Sequence, residues 1–115
     1  MALTGNSLTA TLVKMTILNH FPMVIVCHNK RERVWYQAAP TIAPWWRPVR
    51  QLDDQTFAAD MLFRGAGEQT FPRKNPADAW FDFKGCDRHE VEEQSFLLPE
   101  EEVLTVLKLP DAAIA

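Results

Sequence analysis

The sequence predicts an α+β domain whose antiparallel or mixed sheet has about five strands, with two helices packed on one face. The chain has 115 residues, a usual length for one folding unit, with 47% apolar and 23% charged residues. Short β-branched or apolar segments recur between turn residues, and helix start and stop signals flank others. We therefore expect a single globular domain over residues 1–115.

The first strands are expected in the N-terminal third. Residues 8–18 are rich in β-branched side chains and show apolar residues at a period of two, which predicts a strand. The run 23–27, MVIVC, is continuously apolar and predicts a central strand buried on both faces. The polar segment 28–32 separates it from the alternating segment Arg33–Ala38, so these two strands form a predicted hairpin.

A proline-rich loop and a helix are expected next. Three prolines between residues 40 and 48 remove backbone donors and fix φ, which predicts a stiff loop without regular structure. Asp53 or Asp54 can cap a helix that runs to about Arg64 with an apolar stripe, and Gly65 is placed to end it.

The following segments carry weaker patterns. Residues 65–67 and 71–76 contain glycine or proline and predict turns. Residues 79–83 and 94–98 predict two further short strands, which are joined by a polar connection over 85–90.

The second helix is predicted over residues 99–108. Pro99 suits the first position of a helix, and the three glutamates after it place negative charge at the positive end of the helix dipole. Lys108 lies at the expected C-terminal end, and Pro110 prevents continuation.

Charge is distributed unevenly along the chain. The formal net charge is −3, yet residues 28–50 carry +4 and residues 90–115 carry −6. Such an asymmetry can steer a charged partner, or the two regions can neutralise each other within the fold. Both interpretations are kept open.

Cysteine usage and hydropathy predict a cytoplasmic location. Cys27 and Cys86 are too few for a disulfide-stapled secreted fold, so we expect both thiols to be reduced. Polar residues interrupt the first 20 residues, which do not resemble a signal peptide. The longest apolar run, 21–27, is far shorter than the ~20 residues that cross a bilayer, so no membrane contact is expected.

The Trp45–Trp46 pair is the most unusual feature of the sequence. Adjacent residues of an extended backbone point in opposite directions, so one ring is expected to be exposed. Exposed tryptophan beside arginine is typical of protein-binding hot spots, although both rings could instead cover a sheet edge. The sequence thus predicts a non-catalytic, accessory or inhibitor-like protein that binds a protein partner through loop 40–50 and the basic hairpin tip. The predicted contact residues are Lys30, Arg31, Trp35, Trp45, Trp46, Arg47 and Arg50.

Two other function classes are kept as alternatives. The same cations and aromatic rings could bind single-stranded nucleic acid, although a pI of about 5.5 opposes this. Cys86 and His89 could form a small thiol enzyme or hydrolase, although closeness in sequence says little about geometry. Cys27-His28 and Cys86-x-x-His89 are poorly spaced for zinc, so we assign no metal, no cofactor and no catalytic residue. A homo-oligomer is left open.

Overall fold

The computed structural model describes residues 7–18, 22–67 and 71–115. The strands are β1 (Met23–Asn29), β2 (Arg33–Ala38), β3 (Arg73–Pro76), β4 (Glu90–Leu98) and β5 (Glu102–Lys108). They form one antiparallel sheet in the order β2-β1-β5-β4-β3. The described residues also form helices α1 (Ser7–Leu18) and α2 (Phe57–Arg64), and short 3₁₀-helices at Ala77–Ala79, Cys86–Arg88 and Asp111–Ala113.

Strands β1 and β5 form the centre of the sheet. They pair over their full lengths, from Met23 opposite Lys108 to Asn29 opposite Glu102. The predicted central strand and the β1–β2 hairpin are confirmed. Residues on both faces of β1 are buried, because α1 covers one face and a cluster that includes Trp46 and Trp80 covers the other. The apolar run of β1 is therefore explained by its position.

The two helices lie on opposite faces of this sheet. Val26 belongs to the buried cluster that contains Leu62 of α2, and we call this side the α2 face. The next residue, Cys27, belongs to the cluster against which Leu12 of α1 packs, and we call this side the α1 face. The α+β class and the five strands are confirmed. The helices pack against the sheet, but they are divided between its faces instead of sharing one.

The predicted strand over residues 8–18 is wrong, because this segment is helix α1. Leu12, Val13 and Thr16 follow a helical spacing and are buried or half-buried, whereas Met15 and Ile17 are exposed. The Thr16 hydroxyl donates to the Leu12 carbonyl oxygen at 2.8 Å, which satisfies it inside the helix. Packing on β1 and β2 thus overrides the local β-propensity of this segment.

The predicted helix over residues 99–108 is also wrong, because Glu102–Lys108 is strand β5. Two of the three glutamates that resemble a helix start, Glu100 and Glu101, lie in the β4–β5 hairpin loop with φ values of 65° and 57°, and Glu102 begins β5. The following run from Val103 to Leu107 suits a strand covered on both faces. The apolar residues of this segment agree with the observed strand, whereas its charge pattern wrongly indicates a helix start.

Two shorter predictions in the middle of the chain are wrong as well. Arg73–Pro76, expected as a turn, is the edge strand β3. Residues 79–83, expected as a strand, begin with the end of a 3₁₀-helix and continue through a turn. Trp80 and Phe81 in this segment are nevertheless buried, because their rings fill the core beneath the α2 face.

Helix α2 is confirmed, but its N-cap differs from the expected aspartates. The Thr56 hydroxyl accepts the backbone N–H of Ala59 at 3.1 Å. Gly65 ends the helix in the left-handed conformation with φ of 70°, as predicted. Across the described ranges, neither α1 nor α2 has the length and apolar content needed to cross a bilayer.

Candidate partner-binding site

Trp46 anchors the proline-rich loop in the core. Its side chain is 2% exposed, and its ring meets Phe81 and Phe83 edge-on at centroid distances of 5.0 and 4.7 Å. The predicted role of Trp46 as a contact residue is therefore corrected. This ring packs against aromatic neighbours beneath the α2 face and is not available to a partner.

The backbone of the loop is held at both ends. Ala43 N–H donates to the Ala113 carbonyl oxygen at 2.8 Å, and Ala115 N–H donates to the Thr41 carbonyl oxygen at 2.8 Å. Near the other end, Val49 N–H donates to the Trp80 carbonyl oxygen at 2.9 Å. The prediction that this loop contains no regular helix or strand is confirmed. Backbone hydrogen bonds hold it together with the prolines.

Trp45 occupies the opposite side of the loop from Trp46 and is 58% exposed. The expectation that one ring of the pair faces solvent is confirmed. Arg47, two residues further on, is also exposed. We call Trp45 and Arg47 the indole ledge. It presents one large ring and one guanidinium from a backbone whose conformation is already fixed.

The hairpin tip between β1 and β2 is basic, but most of its charge is paired. Lys30 Nζ lies 3.2 Å from Glu101 Oε1, and Arg50 Nη2 lies 2.6 Å from Glu32 Oε1. The Arg50 guanidinium holds the pKa of the Glu32 carboxyl below its usual range. Arg31 is exposed and has no ion pair among the described residues.

These pairs show how the uneven charge is arranged. The Lys30–Glu101 pair joins the basic region to the acidic one, because the β1–β2 and β4–β5 hairpin tips lie at the same end of the sheet. Both partners are exposed, so this pair contributes little stability.

The structure does not bring all the predicted contact residues together. The loop leaves the C-terminal end of β2 and returns to the hairpin tip, where the Arg50 carbonyl oxygen accepts the backbone N–H of Arg33 at 2.6 Å. Trp35 packs on the α1 face against the cluster that contains Cys27. Arg50 joins the tip instead of the ledge.

The α2 face also buries two ionisable residues, His28 and Glu93, which no pattern in the sequence marks as a pair. His28 is fully buried, and its Nε2 lies 3.0 Å from the Val49 carbonyl oxygen. Burial lowers the pKa of His28. The carboxylate of Glu93, also fully buried, accepts a hydrogen bond of 2.6 Å from the Asn75 amide, and burial raises its pKa. The Trp80 ring lies 5.9 Å from that of His28.

The two thiols do not form a catalytic arrangement in this structure. Cys86 Sγ donates to the Phe81 carbonyl oxygen at 3.3 Å, and the His89 ring packs near Trp46 at 5.6 Å. Cys27 Sγ lies 3.6 Å from Glu102 Oε1, and burial, followed by this carboxylate, raises the pKa of the Cys27 thiol to about 12. A thiolate is therefore disfavoured at Cys27.

Metal ligands are not grouped either. Cys27 and His28 point to opposite faces of β1, as adjacent strand residues do. Within residues 7–18, 22–67 and 71–115, no three His, Cys, Asp or Glu side chains are arranged to hold a metal ion.

Comparison of the chain with protein-family models gives no match, and comparison with curated proteins gives none either.

Proposed function

We propose that this protein is a non-catalytic binding protein, accessory or inhibitor-like, that engages a protein partner through the indole ledge. The observation that supports the proposal is that two adjacent tryptophans lie in opposite environments. Trp46 is inserted into the core, while Trp45 is 58% exposed on the same braced loop. A rigid exposed indole contributes a large contact area with little loss of conformational entropy, as binding hot spots require.

Arg47 supplies the polar part of the proposed contact. It is exposed, and no ion pair engages it within the described part of the chain. A guanidinium can stack on a ring and hydrogen-bond a carboxylate in two directions. We therefore propose that Arg47 pairs with a carboxylate or a carbonyl group of the partner beside Trp45.

The hairpin tip is not included in the main contact. Its cations Lys30 and Arg50 already pair with glutamates. We also propose that the protein acts in the cytoplasm, which agrees with two buried cysteines that form no disulfide.

The test compares two variants that each remove one exposed ring. We expect Trp45→Ala to lose a partner that the wild-type protein captures from its native host. Phe71→Ala, which removes a ring that is 72% exposed elsewhere, should retain it. With the purified partner, Trp45→Ala should weaken binding by about 2 kcal/mol or more, roughly 30-fold. Isothermal titration calorimetry measures this difference.

Two results would contradict the proposal. The first is equal capture and equal affinity of the wild-type protein and Trp45→Ala. The second is a large fall in the melting temperature of Trp45→Ala, which would assign the ring to the core instead of to recognition.

Single-strand nucleic-acid binding receives less support from this arrangement. Trp35 packs half-buried on the α1 face, and Lys30 and Arg50 are ion-paired. A groove for single strands needs cations and stacking rings along one path. A gel-shift series with added salt tests this alternative, because phosphate binding weakens steeply as salt increases. Absence of a salt-sensitive shift would remove it.

A further inference from the structure

A cleft of about 430 Å³ lies where β3, β4 and the end of β5 meet. Its walls carry Lys74 of β3, Lys108 of β5 and Arg88 of the 3₁₀-helix Cys86–Arg88. We call this the cationic cleft, and its remaining lining residues are His89, Glu90, Val91, Glu92, Leu109 and Pro110.

The register of the strands explains why the two lysines converge. Lys74 pairs with Glu92, and Glu92 pairs with Lys108, so the three side chains lie side by side across β3, β4 and β5. Arg88 then reaches the same opening from outside the sheet.

The three cations of the cleft are not neutralised by close ion pairs. Lys30, Arg50 and Arg64 each have a carboxylate oxygen within 4.0 Å. By contrast, Lys74, Arg88 and Lys108 have no such partner in the part of the chain that the structure describes. The carboxylates of Glu90 and Glu92 reduce the positive potential without closing these contacts.

The cleft has the size of a small-molecule site. Val91 and Leu109 line it and are almost fully buried, because their side chains pack in the cluster on the α2 face. The volume is within the range of small-molecule sites, ~300–1,000 Å³.

We infer that the cationic cleft binds a small molecule carrying a doubly charged oxyanion group, either a phosphate or a pair of carboxylates. Arg88 can donate two parallel hydrogen bonds to such a group, and the two lysines add point charges from the other side. This site uses none of the residues of the indole ledge, so it does not depend on the proposed partner binding.

The test is an NMR titration of ¹⁵N-labelled protein at low ionic strength with pyrophosphate and, separately, with succinate. We expect shifts that saturate and that are confined to the amides of residues 74, 88–92, 108 and 109. Saturation by pyrophosphate alone identifies a phosphate as the ligand group, and saturation by succinate identifies paired carboxylates. Either result supports the inference.

Two double variants provide the control. Arg88→Gln with Lys108→Gln removes one arginine and one lysine from the cleft, and should weaken binding at least tenfold. Lys14→Gln with Arg31→Gln removes the same charges from α1 and the hairpin tip, and should change the affinity less than twofold. All four side chains are exposed, so both variants should fold.

The inference is overturned if neither anion gives saturating shifts, or if sodium chloride at equal ionic strength gives the same shifts. It is also overturned if the two double variants lose affinity equally.

Discussion

The two faces of the sheet differ in how completely they are covered. On the α2 face, Trp46, Trp80 and Phe81 join the helix in one large buried cluster. On the α1 face, the buried cluster among the described residues is limited to Ile25, Cys27 and Leu104, while Met15 and Leu18 of α1 remain exposed. The α2 face therefore contributes most of the stability. The indole ledge is rigid because its loop is anchored there.

The largest expected effect is at Trp46. We predict that Trp46→Ala lowers the free energy of unfolding by about 3–5 kcal/mol, because it removes a buried ring and leaves a cavity beside Phe81 and Phe83. Urea unfolding followed by circular dichroism measures the loss. Trp46→Phe is the control, since it keeps a ring in the cluster and should lose less. A loss below about 1 kcal/mol for Trp46→Ala would contradict the anchoring role.

A smaller loss is expected on the α1 face. Leu12 is only half-buried against its cluster, so we predict that Leu12→Ala costs about 1–2 kcal/mol in the same urea experiment. Leu18→Ala, which truncates an exposed leucine of the same helix, should change stability by less than ~0.5 kcal/mol. A loss for Leu12→Ala as large as that for Trp46→Ala would remove the difference between the faces.

A gain is expected at the β4–β5 hairpin, outside both clusters. Glu100 and Glu101 both have positive φ, which is unfavourable for glutamate and suited to Asn-Gly. We predict that Glu100→Asn with Glu101→Gly stabilises the protein by about 1 kcal/mol or more, measured by thermal unfolding. Glu100→Ala with Glu101→Ala removes the same charges without relieving the backbone. An equal gain in this control would attribute the effect to charge.

The smallest effect is expected from the pH dependence of the α2 face. Burial lowers the pKa of folded His28 below its ordinary 6.5, so the unfolded chain binds the proton first as the pH falls. The stability that neutral His28 contributes is complete above pH 6.5 and is lost as the pH falls towards the lower folded pKa. In His28→Gln, the glutamine amide can still donate to the Val49 carbonyl oxygen, and this variant should not show the loss of stability at low pH.

The difference between wild-type and His28→Gln stability across pH 4 to 8 isolates this titration, because both proteins carry Glu93. Taking this difference is necessary because the raised pKa of Glu93 acts in the opposite direction and reduces stability as the pH rises above 4.5. Parallel stability curves for the two proteins would contradict the account of His28.

The fold class could be predicted from the sequence more reliably than the elements that form it. The apolar run of β1 and the Gly65 terminator of α2 carry local signals that the tertiary structure reinforces. The local patterns of residues 8–18 and 99–108 predict the wrong element because tertiary contacts determine the structure of both segments. Helix α1 packs on β1 and β2, and β5 pairs with β1 and β4. The number of strands was right although two of the predicted strands were replaced by others.

The candidate site, like the fold, could be predicted from the sequence only in part. The alternation of adjacent side chains was enough to predict one exposed ring in the Trp45–Trp46 pair. It could not show which ring was exposed, because that depends on Phe81 and Phe83, more than 30 residues away in the sequence. The cationic cleft was also hidden from sequence reasoning, since its cations come from three separate segments.

The most direct test of the central claim is acrylamide quenching of tryptophan fluorescence in the wild-type protein, Trp45→Phe and Trp46→Phe. We predict that Trp45→Phe removes most of the readily quenched emission, whereas Trp46→Phe leaves that component in place, because only the first ring of this pair faces solvent. Equal quenching of the two variants, or loss of the quenched component in Trp46→Phe, would contradict the exposed indole on which the binding proposal depends.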